Sequence, residues 1–185
     1  MITLFEADEI LVRHQAASAL AGTAFFELTD PAGKPLATVR HEAGRGLVGR
    51  LFGRRSGLSA ADLDVVDPSG ARLLAIAKAR SGTGSLNLAV STADGRTVGS
   101  ASGSRRDITL YGPSDEPLGR LLSDTAMSAT LHDADGAEVA TFTRQRRTQA
   151  SGPTTYELRF TPGTSLALRI LAIGTVLAST LQGAV

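Results

Sequence analysis

The sequence predicts a mainly β (α+β) protein: a closed antiparallel barrel of about twelve strands with a buried hydrophobic helix at its C-terminus. Three observations lead there. A hairpin unit recurs along the chain, an almost unbroken apolar run fills Ser165 to Val185 with Arg169 as its only charge, and the length of 185 residues suits a single domain, 1–185. Such a domain buries roughly two thirds of the surface its unfolded chain exposes, so one good core is expected.

The recurring unit is an alternating strand, a turn built on Asp, Pro or Gly, and a second strand beginning with Leu or Val. Phe25 to Val39, turning through Asp30-Pro-Ala-Gly33, is the first clear copy, and Asp62 to Ile76, turning through Asp67-Pro-Ser-Gly70, repeats it. Further copies turn at Ala93-Asp94-Gly95 and at Asp133-Ala-Asp135-Gly136, and a degenerate one, Gly112-Pro113-Ser-Asp115, has lost its turn glycine. Each residue type has a local reason. Proline presets φ at the first central position, Asp accepts backbone N–H bonds, and Gly takes the positive φ that closes the loop. Leu86, Leu88 and Val90 alternate with Ser85, Asn87 and Ala89, the period of a strand with one buried face. Ile10 to Gln15 and Tyr156 to Phe160 complete the series. Strands joined almost entirely by tight hairpins form a meander, and so long a meander curls shut to remove its edges.

The terminal run predicts a helix at about 165–182. Leu166, Ile170, Ile173, Leu177 and Leu181 form one stripe, and Leu168, Leu171 and Val176 point elsewhere, so the helix is apolar nearly all round and belongs in a core or a bilayer. Pro162-Gly163 ends the preceding strand, Thr164 or Ser165 is the N-cap, and Gly183 the stop. Leu166 to Leu181 spans about 24 Å, short of the roughly 30 Å hydrocarbon layer, and small residues at Ala167, Ala172, Gly174 and Ala178 leave room for neighbours. A barrel interior supplies those neighbours, and the core placement is preferred to a membrane span. Arg169 must then reach water at the barrel mouth, or a carboxylate.

Composition excludes several functions. There is no cysteine, hence no disulfide, thiolate metal site or cysteine nucleophile. A net charge of +1 gives no global field for binding nucleic acid. Met1 to Gln15 carries Glu6, Asp8 and Glu9 where a secretory signal would be basic and then apolar, so a cytoplasmic location is expected, with peripheral contact to a membrane as the further possibility. His14, His41 and His132 show no metal-ligand spacing, and Ser81-Gly-Thr-Gly-Ser85 lacks the lysine of a phosphate loop. Asp133-Ala-Asp135-Gly136 resembles the start of a calcium loop, but the twelfth position would be Arg144 in place of glutamate. No catalytic motif, cofactor or metal is expected, and the chain reads as non-enzymatic.

The strongest binding candidate is the glycine-rich segment 40–55, where Arg40, Arg45, Arg50, Arg54 and Arg55 interleave with Leu47, Val48, Leu51 and Phe52. Arginines suit phosphate oxygens and the apolar residues suit an interface. A solvated connection whose leucines pack on the barrel is the competing structural explanation. Arg144-Gln-Arg146-Arg147 reads as a charged, solvated strand end.

The hairpins at Asp30 to Gly33, Asp67 to Gly70 and Asp135-Gly136, the strand Tyr156 to Phe160 and the run Leu166 to Leu181 together resemble the tubby C-terminal-like superfamily, and within it the phospholipid scramblase and LURP-one-related branch. The resemblance implies a twelve-stranded barrel threaded by its C-terminal helix. It also implies binding of anionic phospholipid headgroups, phosphoinositides among them, through basic residues at a membrane surface. The alternatives are a protein-interaction scaffold with no lipid role and a scramblase-like protein anchored by its C-terminal helix. Thr161-Pro-Gly-Thr-Ser165 stands where scramblases carry an acidic calcium segment, and a cysteine cluster and a proline-rich N-terminal region are missing, which argues against calcium-activated scrambling.

Overall fold

A computed structural model describes residues 3–14, 26–41, 61–79, 85–104, 106–125, 128–145 and 154–182. The chain forms twelve strands followed by one helix: β1 (Glu9–His14), β2 (Phe26–Thr29), β3 (Pro35–His41), β4 (Ala61–Val66), β5 (Arg72–Ala79), β6 (Ser85–Thr92), β7 (Thr97–Ser104), β8 (Asp107–Tyr111), β9 (Pro117–Thr125), β10 (Ser128–Asp133), β11 (Glu138–Arg144), β12 (Thr155–Phe160) and α1 (Leu166–Gln182). Every strand pairs antiparallel with its sequence neighbours, and β1 pairs with β12 from Glu9↔Arg159 to Arg13↔Thr155, which closes the barrel. Closure leaves no edge strand exposed.

One turn geometry is used five times. In the turns between β2 and β3, β4 and β5, β6 and β7, β8 and β9, and β10 and β11, the first residue accepts a bond from the N–H three residues on. It donates its own N–H to the carbonyl four residues on, as in Gly70 N to Asp67 O at 2.9 Å and Asp67 N to Ala71 O at 2.8 Å. This is the bond pattern of a type I turn closed by a left-handed residue. Gly33, Gly70, Gly95 and Gly136 fill that left-handed position at φ 81° to 89°. In the degenerate copy Asp115 adopts φ 62° without being glycine.

The aspartates act inside the turns. Asp67 Oδ1 accepts from Ser69 N and Ala71 N at 2.8 and 2.9 Å, and Asp133 Oδ1 accepts from Asp135 N and Ala137 N at 3.0 and 2.9 Å. The hydrogen bond from the Ser69 hydroxyl is the main reason the Asp67 carboxyl titrates below the usual range. In the degenerate copy Glu116 takes over from the other side of the turn, accepting from Ser114 N at 2.9 Å. A side chain at Gly112 would meet that carboxylate, which would have to swing aside.

A left-handed conformation costs an ordinary L-residue roughly 1–2 kcal/mol. Asp115→Gly is therefore expected to leave thermal stability unchanged or raise it slightly, since the gain is offset by the added freedom of the unfolded chain. Asp115→Val should lower stability by about 1–2 kcal/mol, and paired denaturant titrations would check both. Equal stability of the two variants would show that the turn does not hold this residue left-handed.

Each of these hairpins then shifts register once, between Leu28 and Thr29, Val65 and Val66, Val90 and Ser91, Leu110 and Tyr111, and Leu131 and His132. The extra residue on the returning strand is apolar every time: Leu36, Leu73, Val98, Leu118 and Val139. Leu36 is buried and the others pack partly buried against the core, so the bulges help to close this end of the barrel. Along the strands inward residues such as Ile10, Val12, Leu63, Val65, Leu86, Leu88 and Val90 are buried. Outward positions carry Glu9, Arg13, Arg40, Asp64, Asp107, Arg120 and Arg159. An apolar interior with a charged wall is the reverse of a lipid-facing barrel.

The last strand ends at the hairpin-turn end, and α1 starts there and runs back through the lumen. Ser165 caps it, its hydroxyl accepting from Leu168 N at 3.4 Å, while Thr164 instead donates to Val139 O at 2.9 Å and anchors the entry to the β11 bulge. Leu168, Ile170, Leu171, Ile173, Val176 and Leu177 are all buried, although they point in every direction around the helix. Leu166, counted with the apolar stripe, is in fact 59% exposed at the entrance. The helix packs closest to β6 and β7, where Gly99 faces Leu171 and Gly174 faces Val90. No helix among the described residues is long and apolar enough to cross a membrane.

Arg169 resolves its burial through a distant partner. Nη2 donates to Asp8 Oδ1 at 2.6 Å, Nη1 to Ala7 O at 3.0 Å and Nε to Thr164 O at 3.3 Å. Its guanidinium also sits 4.8 Å from the Phe160 ring centroid. Leu4 and Ala7 are buried in the core, and these bonds tie the N-terminal segment to the helix that follows the last strand.

Candidate functional site

The up-and-down order puts all five tight turns at one end of the barrel. The segments joining β1 to β2, β3 to β4, β5 to β6, β7 to β8, β9 to β10 and β11 to β12 therefore leave and re-enter at the other end. Charge divides the same way. The turns contain Asp30, Asp67, Asp94, Asp115, Glu116, Asp133 and Asp135 against Lys34 and Arg96. The joining segments contain Arg45, Arg50, Arg54, Arg55, Arg80, Arg105, Arg106, Arg146 and Arg147 against Glu42 alone.

Of the candidate lipid-binding arginines, the structure places Arg40. It sits near the end of β3, exposed and facing outward, opposite Asp64 of β4. Asp64 lies 3.6 Å from Arg72, and among the described residues Arg40 forms no ion pair. Arg45, Arg50, Arg54 and Arg55 lie outside the described residues. Their segment, 42–60, is bound by the end of β3 and the start of β4, so its two attachment points are side by side next to Arg40. Arg106, also exposed, precedes β8 at the same end.

Two cations at this end face inward, which sequence reasoning missed. Lys78 shares the inward parity of Leu74 and Ile76, and its Nζ donates to Ala178 O at 3.3 Å on the last turns of α1. A cation there also complements the negative end of the helix dipole. Arg144, read as part of a solvated strand end, is instead half-buried, its guanidinium 6.0 Å from the Tyr156 ring centroid. Tyr156 stacks on Phe142 at 5.2 Å, so the basic residue continues an aromatic pile that lines the lumen. Parity along β5 and β11 is the signal that could have found both, but it needs the position of the bulge in each hairpin.

Other candidates are absorbed by structure. His14 packs on Phe26 with ring centroids 5.2 Å apart, while His132 sits on β10 with the opposite parity to buried Leu131. Asp133, the first residue of the calcium-loop look-alike, uses its carboxylate to close its own hairpin. On the barrel wall Arg120 and Asp107 pair through two hydrogen bonds, which holds the Asp107 carboxyl below its usual range and raises the arginine. Arg159 pairs with Glu157 and Glu9. On the barrel wall these pairs neutralise one another.

Scans against protein-family models, curated proteins and solved structures return no match to this chain.

Proposed function

We propose that the protein is a non-enzymatic barrel that binds anionic phospholipid headgroups at a membrane surface through the end opposite its hairpin turns. The observation that carries this reading is the concentration of arginine in the segments joined to that end, around exposed Arg40. Arginine forks match phosphate oxygens, and a cluster of them adds long-range attraction to an anionic surface. The acidic turns at the far end would orient the barrel with its helix axis steeply inclined to that surface. A closed barrel around a C-terminal helix also supports placing the chain as a divergent relative of tubby C-terminal-like proteins, some of which bind phosphoinositides.

Flotation with vesicles containing anionic lipid tests the proposal. Wild-type protein should float with the vesicles, and added salt should release it. Each basic residue near such a surface contributes about 1 kcal/mol, so changing Arg50, Arg54 and Arg55 to Ala together should weaken binding about 100-fold. Equal binding by wild type and variant, or none by either, rejects the reading.

A further inference from the structure

Arg169, Lys78 and Arg144 lie within the barrel wall, and they are partnered unequally. Arg169 gives its donors to Asp8, Ala7 and Thr164, and Lys78 donates to Ala178 O on the last turns of α1. Arg144 has a ring instead: its guanidinium lies 6.0 Å from the Tyr156 centroid, and among the described residues it has no carboxylate partner. The surroundings of Arg144 are aromatic. Phe142 stacks on Tyr156, and His14, two residues beyond the register partner of Tyr156 on β1, packs on Phe26. Glu9, Glu27 and Glu157 hold the alternate, outward positions of these strands. The close approaches of α1 are made on the other side of the barrel, where Leu171 meets Gly99, Gly174 meets Val90 and Ala178 meets Lys78. A half-buried guanidinium with a ring on one face therefore presents its fork at the inner mouth, beside an imidazole and away from any acid of the same face.

We propose that Arg144, with Tyr156 behind it and His14 on the neighbouring strand, binds a phosphate group at the inner mouth of the barrel. A charge partly withdrawn from water is stabilised by an opposite charge that it can hydrogen-bond, and the guanidinium fork matches two phosphate oxygens. The ring fixes the plane of the fork. A phosphate keeps a further oxygen for the imidazole, whereas a carboxylate has none to spare once the fork holds both. The phosphate is either free or part of a lipid headgroup. Only the second source rests on the membrane reading above, which it would deepen.

The chain has no tryptophan and only two tyrosines, so Tyr111→Phe leaves Tyr156 as the sole emitter at the site. In that background, inorganic phosphate and, separately, monomeric dihexanoyl phosphatidic acid are titrated at fixed ionic strength without vesicles, following Tyr156 emission and the melting temperature. At least one of the two should give a saturating change in emission and a rise in melting temperature. Arg144→Gln should weaken that binding about tenfold or more, and so should Arg144→Lys, which keeps the charge and loses the fork. A cooperative melt of each variant without ligand shows that it is folded. Tighter binding of the lipid than of inorganic phosphate supports the site with a headgroup as its ligand, and equal affinity supports it with free phosphate. Absence of both signals with both ligands overturns the proposal, as does binding that Arg144→Gln and Arg144→Lys retain in full. Flotation is read on vesicles with Arg50, Arg54 and Arg55 changed, so either experiment can fail without the other.

Discussion

A chain ending at Thr164 is expected to have no cooperative unfolding transition. The helix places Leu168, Ile170, Leu171, Ile173, Val176 and Leu177 in the lumen, each at 6% exposure or less. At about 1.5–3 kcal/mol per fully buried side chain these residues together contribute about 9–18 kcal/mol, against a net stability of about 5–15 kcal/mol for a whole domain. Strand pairing alone cannot offset that loss, because inward residues such as Val90 and Ile76 would face an empty lumen. Calorimetry or urea titration of the shortened protein is the direct measurement, and a sharp transition would show that the strands close without the helix. A milder version in the full chain, Leu171→Ala, should cost about 2–5 kcal/mol.

Arg169 and Asp8 are expected to behave asymmetrically. The arginine side chain is only 9% exposed and the aspartate is 63% exposed, so the pair bridges the interior and the solvent. Asp8→Ala leaves a buried cation with its carbonyl and ring contacts but without its counter-charge. Water can still approach from the Asp8 side, so the loss should be about 1–2 kcal/mol, below that of a fully buried pair. Replacing Arg169 by Met in the same protein removes the uncompensated charge and keeps apolar volume against Phe160. Asp8→Ala/Arg169→Met should therefore recover most of the stability lost by Asp8→Ala. A double mutant less stable than Asp8→Ala alone would mean that the carbonyl bonds to Ala7 and Thr164, not the ion pair, make the latch. Both readings are separable by the coupling energy of the four-protein cycle.

The hairpins were legible because their chemistry is local. Asp, Pro and Gly at fixed offsets select one turn, and the apolar residue three positions after the left-handed one marks where the strand returns. The degenerate copy kept that offset with Asp115 in place of glycine, which turn composition alone did not reveal. The helix was legible from apolarity on all sides combined with a length short of a bilayer. Lys78 and Arg144 were not, because a charged residue at a strand end reads as solvated until the register says which way it points. Arg169 was expected to reach water at the barrel mouth or a carboxylate; it reaches Asp8, which stands 161 positions earlier in the sequence, and no periodicity links them.

The sequence by itself determined the barrel, its approximate strand number and the burial of its last segment, since each follows from contacts between near neighbours or from the solubility of one face. It also suggested an absence of any global field, from a net charge of +1. Tertiary structure changed the meaning of that number. In an up-and-down barrel alternate connections join at opposite ends, so the acidic turns and the attachment points of the arginine-rich segments, interleaved along the chain, are sorted to opposite ends. Charge acts through distance and not through sequence order, and only closure of the barrel sets those distances.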